Sequence, residues 1–384
     1  MAGDGLAVAA LVDEAAGRAG VAAGHLPFTD NLTRLVDSCR QTAALSDTGL
    51  LVLRRTALRH LRNLLELRAH VAADPLVATR PLDAPVVVTG LPRTGTTLLH
   101  NLLALDPAHR PLRFWEALHP VPSGPGGPTE ASLLAQAERW IEAFDRLVPE
   151  FRRIHASSAA GPEECDALLQ NSFASQHFDD MFDAEAYSGW LATAPLTDEY
   201  RHYALQLRAL SARPGPGPAW VLKSPSHLGH LDALLDALPG VTVVVCHRHP
   251  REAVSSYASL ILALRRPYGV DASPARCGAQ AVRRASVSAG RSLGVRDAHP
   301  GRFVDVAYRD LAVAPLDAVR AVYEHLGRPL AAGVERDMRQ WVEENPRHRF
   351  GAHHHDLPRF GLTGDEVDDA FAGYLNRFGG MVGD

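Results

Sequence analysis

The run Val86–His100, VVVTGLPRTGTTLLH, constrains the fold more than any other stretch of the chain. An apolar strand stops at Gly90, a second glycine follows at Gly95, and Thr96 and Thr97 open an apolar helix. A strand turning directly into a helix belongs to parallel α/β sheets, and its unpaired helix N–H groups hold an anion with little help from side chains. The pattern recurs downstream in WVLKS (Trp220–Ser224), VTVVVC (Val241–Cys246) and FVDVAY (Phe303–Tyr308). Helical segments lie among these strands, for example Thr96–Leu105, His227–Leu238 and Pro250–Leu264. The expectation is a doubly wound parallel sheet flanked by helices, with ligands at the carboxyl ends of its strands.

Residues 1–80 read as a helical segment packed on this core. Leu51, Leu58, Leu61 and Leu65 keep helical spacing on one face, and Arg55, Arg59, Arg62 and Glu66 share a polar one. Two Pro/Gly-rich breaks, Pro120–Pro128 and Ala212–Pro218, bracket a helical insert at about 129–210 within an α/β domain at 81–384. With 384 residues, 46% of them hydrophobic, the chain fills a substantial core. A net charge of −5, with both signs mixed along the chain, argues against a sequence-independent grip on nucleic acid. The four cysteines, Cys39, Cys165, Cys246 and Cys277, form no CxxC pair, so neither a zinc knuckle nor a disulfide framework is expected. The first residues lack a basic leader, and no apolar stretch approaches the length of a membrane span. A cytoplasmic protein is expected.

The loop between Gly90 and Gly95 has the outline of a phosphate-binding loop but departs from that of nucleotide hydrolases. In those enzymes a lysine after the second glycine reaches the β/γ-phosphates and an acid helps hold magnesium. Here Thr96 follows Gly95, and Arg93 is the cation within the loop. The next strands deliver Lys223 and then HRHP, not an evident magnesium carboxylate. Arg248 sits just beyond its strand, and Ser256, about two helical turns later, is placed to share a further phosphate with it.

Taken together, GLPRTGTT, Lys223 and the Arg248/Ser256 pair resemble the sulfotransferases that use 3′-phosphoadenosine 5′-phosphosulfate, PAPS. The loop is similar to the arginine-bearing form of tyrosylprotein and many bacterial members, and the resemblance runs in order from about 86 to 311. It implies a P-loop-like sheet. It implies that Arg93, Thr94, Gly95, Thr96 and Thr97 hold the 5′-phosphosulfate and that Arg248 and Ser256 hold the 3′-phosphate. Lys223 then stabilises the transferring group. Tyr308 corresponds to a tyrosine near adenine, its alternative being a core residue at a strand end. Arg347, Arg349 and His353, in NPRHRFGAHHHDL, fall where the family places a basic loop over the nucleotide.

Sulfuryl transfer to an alcohol needs an in-line acceptor oxygen, a base for its proton and positive charge at the leaving phosphate. Side-chain cations suffice for the smaller charge of a sulfuryl group, so no metal is expected, and His353-His354-His355 reads as a nucleotide-covering or solvated loop. The base is assigned to Glu116, which resembles the glutamate serving that role in tyrosylprotein enzymes. The alternatives are His155 and the pair Glu163-Glu164, while His227 is a candidate for orienting Lys223 or the acceptor. Phe151, Phe173, Phe178, Phe182, Tyr187 and Trp190 give the insert aromatic surface, most of it expected in the core. The acceptor expected is a small hydroxylated metabolite, a lipid or a glycoside. Two rival readings are an ATP-dependent phosphotransferase, which would require magnesium, and a nucleotide-binding protein without turnover.

Overall fold

A computed structural model describes residues 4–42, 44–124, 126–151, 157–269, 272–346 and 355–383. Five strands build the sheet: β1 Val86–Gly90, β2 His109–Pro111, β3 Ala219–Lys223, β4 Thr242–His247 and β5 Phe303–Ala307. Their order is β2-β3-β1-β4-β5, and every neighbouring pair is parallel. The chain thus winds to one side of β1 through β3 and to the other through β4. That reversal opens a crevice at the carboxyl end of β1, where the glycine loop lies.

The valine run shows why β1 is central. Val86 and Val88 face one apolar layer with Leu99, Leu102, Val319 and Val322, and Val87 faces the other with Leu222, Leu231, Val245 and Val254. Side chains of a strand alternate between faces, so a strand covered on both reads as a continuous apolar run. All five β1 residues are buried. Each buried valine removes apolar area worth about 1.5–3 kcal/mol.

Strand β2 is absent from the sequence reading. It is a three-residue edge strand ending in Pro111, paired only to β3, and a proline-terminated run this short carries no periodic signal. The helix expected from His227 begins instead as a 3-10 turn at Pro225–His230, with Leu231–Ala237 following as α-helix. Ser224 accepts the Ser226 N–H at 3.1 Å, and Pro225 occupies the first helical turn.

Ahead of the sheet stand helices α1 (Val8–Ala19), α2 (Thr29–Thr42) and α3 (Asp47–Ala73). Leu58, Leu61 and Leu65 are buried as expected, but Leu51, one turn from the helix start, remains 47% exposed. After β1 comes α4 (Thr96–Leu103), and after β2 come α5 (Phe114–Leu118) and α6 (Glu130–Leu147). Further helices at Asp166–Leu169, Gln176–Phe182, Glu185–Thr193 and Thr197–Leu210 lead into β3. Among the described residues no helix is long and apolar enough to cross a membrane, and the four cysteines are free and buried.

Candidate active site

The loop from β1 to α4 is shaped by close contacts. A Cβ on Gly90 would lie 2.3 Å from the Cys246 carbonyl oxygen, so β4 approaches too closely for any other residue. Arg93 adopts φ 72°, a left-handed conformation that costs a non-glycine residue on the order of 1–3 kcal/mol and concentrates at functional turns. The Thr94 hydroxyl donates to the Leu91 carbonyl at 2.8 Å and closes the turn. Gly95, at φ 87°, lies against Tyr308, whose ring a Cβ would meet at 3.0 Å. Thr96 is buried at the first turn of α4, and Thr97 is exposed.

Three separated motifs converge on this loop. Arg93 Nε donates to the Ser256 hydroxyl at 3.2 Å, across the loop from the helix Pro250–Arg265. Arg248 Nη1 donates to the Arg93 carbonyl at 3.0 Å, and its guanidinium lies 4.3 Å from the centre of the Tyr308 ring. Burial, and then the neighbouring Arg248 charge, hold the Arg93 guanidinium below its usual range. Two guanidiniums brought this close beside a helix N-terminus suit an anion carrying more than one charge.

The strand end carrying Arg248 is itself clamped. His247 Nε2 meets Asp305 at 2.7 Å and His247 Nδ1 meets the Tyr374 hydroxyl at 2.9 Å. Arg296 holds Asp305 with contacts of 2.7 and 2.6 Å, and the Arg248 backbone N–H donates to Tyr374. Sequence reasoning missed this set; the only signal was a histidine directly before Arg248.

On the other side of β1, Lys223 ends β3, and its ammonium donates to the Thr97 hydroxyl at 3.4 Å and to Glu164 Oε1. Lys223 is 1% exposed, while the Glu164 side chain keeps 28% of its surface open. The segment bearing Glu164 is tied in place, since the Cys165 N–H donates to the Lys223 carbonyl at 3.0 Å and the Glu163 N–H to the Leu112 carbonyl at 2.8 Å. The half-buried Glu163 carboxyl accepts the Glu164 N–H at 2.8 Å. Burial pushes its pKa up to about 7, against the opposing pull of Lys223.

The assignment of the base to Glu116 needs correction. Its Oε1 accepts from Arg110 at 3.1 Å and its Oε2 accepts the Arg113 backbone N–H at 3.1 Å, capping α5. At 2% exposure it is one half of a buried structural ion pair. His227 likewise does not touch the Lys223 ammonium: its ring nitrogens meet Cys165 Sγ at 2.9 Å and the Tyr200 hydroxyl at 2.8 Å. Burial lowers its pKa to about 3, so it stays neutral and braces Cys165 from behind. Phe173, Phe178, Phe182 and Tyr187 are core residues rather than pocket walls, each 1% exposed or less. His155, Arg347, Arg349 and His353 lie outside the described residues.

Comparison with known proteins agrees with this geometry. The model of the sulfotransferase family matches residues 85–332, from just before β1 to beyond β5. Omega-hydroxy-beta-dihydromenaquinone-9 sulfotransferase Stf3 of Mycobacterium bovis is 24% identical over 308 residues, covering 77% of this chain and 75% of that one. The crystal structure of sulfotransferase STF9 from Mycobacterium avium superposes with a TM-score of 0.82 at 27% identity, covering 96% of each chain. That of STF1 from Mycobacterium tuberculosis gives 0.81 at 28% identity, covering 95% of this chain and 98% of the other. The family match spans well over half of the chain, so this protein belongs to the sulfotransferase family and is an enzyme of it, with the PAPS donor that the family uses.

Proposed function

We propose that the chain transfers the sulfuryl group of PAPS to a hydroxyl of a small molecule or lipid, with Glu164 as general base. The observation that carries this reading is the Lys223–Glu164 contact beside Thr97, at the end of the glycine loop away from Arg248 and Ser256. It sets an acid and a base side by side where a transferring group at the start of α4 would lie.

The residues present suit the nucleotide. Arg93, the backbone of Thr94 and Gly95, and the hydroxyls of Thr96 and Thr97 would hold the 5′-phosphosulfate, Arg248 and Ser256 the 3′-phosphate. Tyr308, between Gly95 and Arg248, would border the adenosine. PAPS supplies a sulfuryl group activated by a phosphate leaving group. Glu164, 28% open to solvent, accepts the proton of the acceptor hydroxyl as its oxygen forms the new bond to sulfur. Lys223 and Arg93 set positive charge against the leaving phosphate oxygen as the old S–O bond breaks. Side-chain cations carry out this task, so magnesium is not needed.

A hydroxylated lipid or metabolite as acceptor is supported by the mycobacterial relative, whose own acceptor is an omega-hydroxy quinone derivative. Calorimetric titration with 3′,5′-adenosine bisphosphate against ADP and ATP, with and without magnesium, tests the donor site. Selective, metal-independent binding of the bisphosphate is expected. Preference for ATP with magnesium would refute the assignment.

A further inference from the structure

Helix α3 carries a guanidinium that sulfuryl transfer leaves unused. Arg59 sits 5.8 Å from the centre of the Trp140 ring on α6, and one turn along α3 the Asn63 amide donates to the Leu118 carbonyl at 3.4 Å. Opposite, Arg213 lies 4.8 Å from the Trp115 ring and donates to the Val121 carbonyl at 2.6 Å. Arg59 Nε, Arg213 Nη1 and Trp115 Nε1 are buried donors with no hydrogen-bond partner.

The acids of this corner are engaged elsewhere. Glu66 lies 3.5 Å from Arg62, Glu116 pairs with Arg110, and Glu130 lies 3.8 Å from Arg113. Among the described residues no carboxylate stands within ion-pair distance of Arg59 or Arg213. His119 registers the resulting field, since burial and then Arg62, Arg213 and Arg59 lower its pKa to about 4. Both guanidiniums are partly withdrawn from water. Arg59 Nη2 meets the neutral His60 ring at 3.2 Å, and Glu116 and Glu130 act on Arg213 only through space, so an anion in direct contact would gain there. The wall beside it is aromatic and reaches solvent: Trp140 is 38% exposed, stacked on Phe144 at 5.2 Å and 5.3 Å from Phe114.

The corner is connected to the transfer site by backbone. The Trp115 N–H donates to the Ala159 carbonyl at 3.1 Å and the Phe114 N–H to the Gly161 carbonyl at 3.0 Å, along the strand of chain that continues into Glu163 and Glu164. Glu164 lies five positions after Ala159, a reach of at most about 17 Å when extended. We infer that this corner is an acceptor subsite in which Arg59 and Arg213 take an oxyanion group of the acceptor, its apolar body against Trp140 and its hydroxyl at Glu164. The inference rests on the sulfuryl-transfer reading of Glu164 and Lys223.

The test uses ω-hydroxy fatty acids from hexanoate to hexadecanoate, the matching ω-hydroxyalkyl phosphates, and the methyl esters of the acids. Each is assayed with PAPS, and its binding is measured by calorimetry in the presence of 3′,5′-adenosine bisphosphate. At the best chain length the acid or phosphate is expected to exceed the ester by about tenfold or more in both affinity and kcat/KM. The carboxylate and phosphate arms show which oxyanion fits better. Arg59→Gln and, independently, Arg213→Gln should collapse that ratio, and Arg59→Lys should retain part of it; melting temperature and bisphosphate affinity report that each variant is folded. Equal binding of acid and ester, binding of neither, or a preference surviving both glutamine variants overturns the inference. Arg59-dependent binding of the anion without its sulfation keeps the subsite and refutes instead the placement of Glu164 as base for it.

Discussion

Glu116 and Glu164 are both carboxylates hydrogen-bonded to a cation, and their settings are opposite. Glu116 and Arg110 have side chains 2% and 6% exposed, and both oxygens of the acid are occupied, one by the guanidinium and one by the cap of α5. Glu164 pairs with a lysine that is 1% exposed yet keeps 28% of its own side chain open. A sealed pair has no route for a substrate proton, so its effect is on the stability and registry of the chain around it. An open-edged pair holds its cation in place at an edge that solvent reaches.

Glu164→Gln should separate the two most sharply. It is expected to lower kcat by about 10²–10⁴-fold, the usual contribution of a positioned base, with bisphosphate affinity nearly unchanged in calorimetry. If turnover survives, the base lies elsewhere. Glu116→Ala should produce the converse: a loss of about 3–5 kcal/mol in urea unfolding, from a buried guanidinium left unpaired, with turnover per folded molecule preserved. A stable variant that has lost turnover would reverse the comparison.

A smaller effect is expected from Arg248→Ala. Affinity for 3′,5′-adenosine bisphosphate should fall by about ten- to a hundredfold, as for loss of a charge-assisted contact, while ADP, which lacks the 3′-phosphate, changes far less. Equal losses for both would remove Arg248 from the 3′-phosphate site.

The smallest effect belongs to Glu163, which sits beside the open pair. Its folded-state pKa is raised from 4.5 to about 7, so between those values the folded state binds more protons than the unfolded one. Stability therefore declines as pH rises through that window. Glu163→Gln should flatten this part of the stability curve by on the order of 1 kcal/mol, allowing for solvent screening. An unaltered curve would show that the carboxyl is not perturbed.

Legibility in the sequence followed the range of the interactions. The valine runs of β1 and β4 were readable because burial on both faces leaves an unbroken apolar signal, and the loop was readable because its shape demands glycine at fixed places. Arg248 follows β4 and Ser256 lies in the helix after it, at the spacing the sequence showed, while the contact of both with Arg93 was not readable from that spacing. The partners of the acids were not readable. Lys223 meets Glu164 across 59 residues, and nothing local distinguishes that glutamate from Glu163. Glu116 was misplaced for the opposite reason, because its partner Arg110 is only six residues away and belongs to the short strand β2 that the periodicity could not reveal.

The clamp on His247 also bears on the order in which the enzyme becomes competent during synthesis. Arg248 is steadied through Tyr374, on the helix Ala372–Val382, more than a hundred residues after the strand it holds. A nascent chain with all five strands outside the ribosome therefore still lacks the last fastening of the strand end that carries Arg248. If Arg248 holds the 3′-phosphate as proposed, a chain interrupted before Tyr374 would lack this brace on it, and binding of that phosphate would report that translation has passed Tyr374.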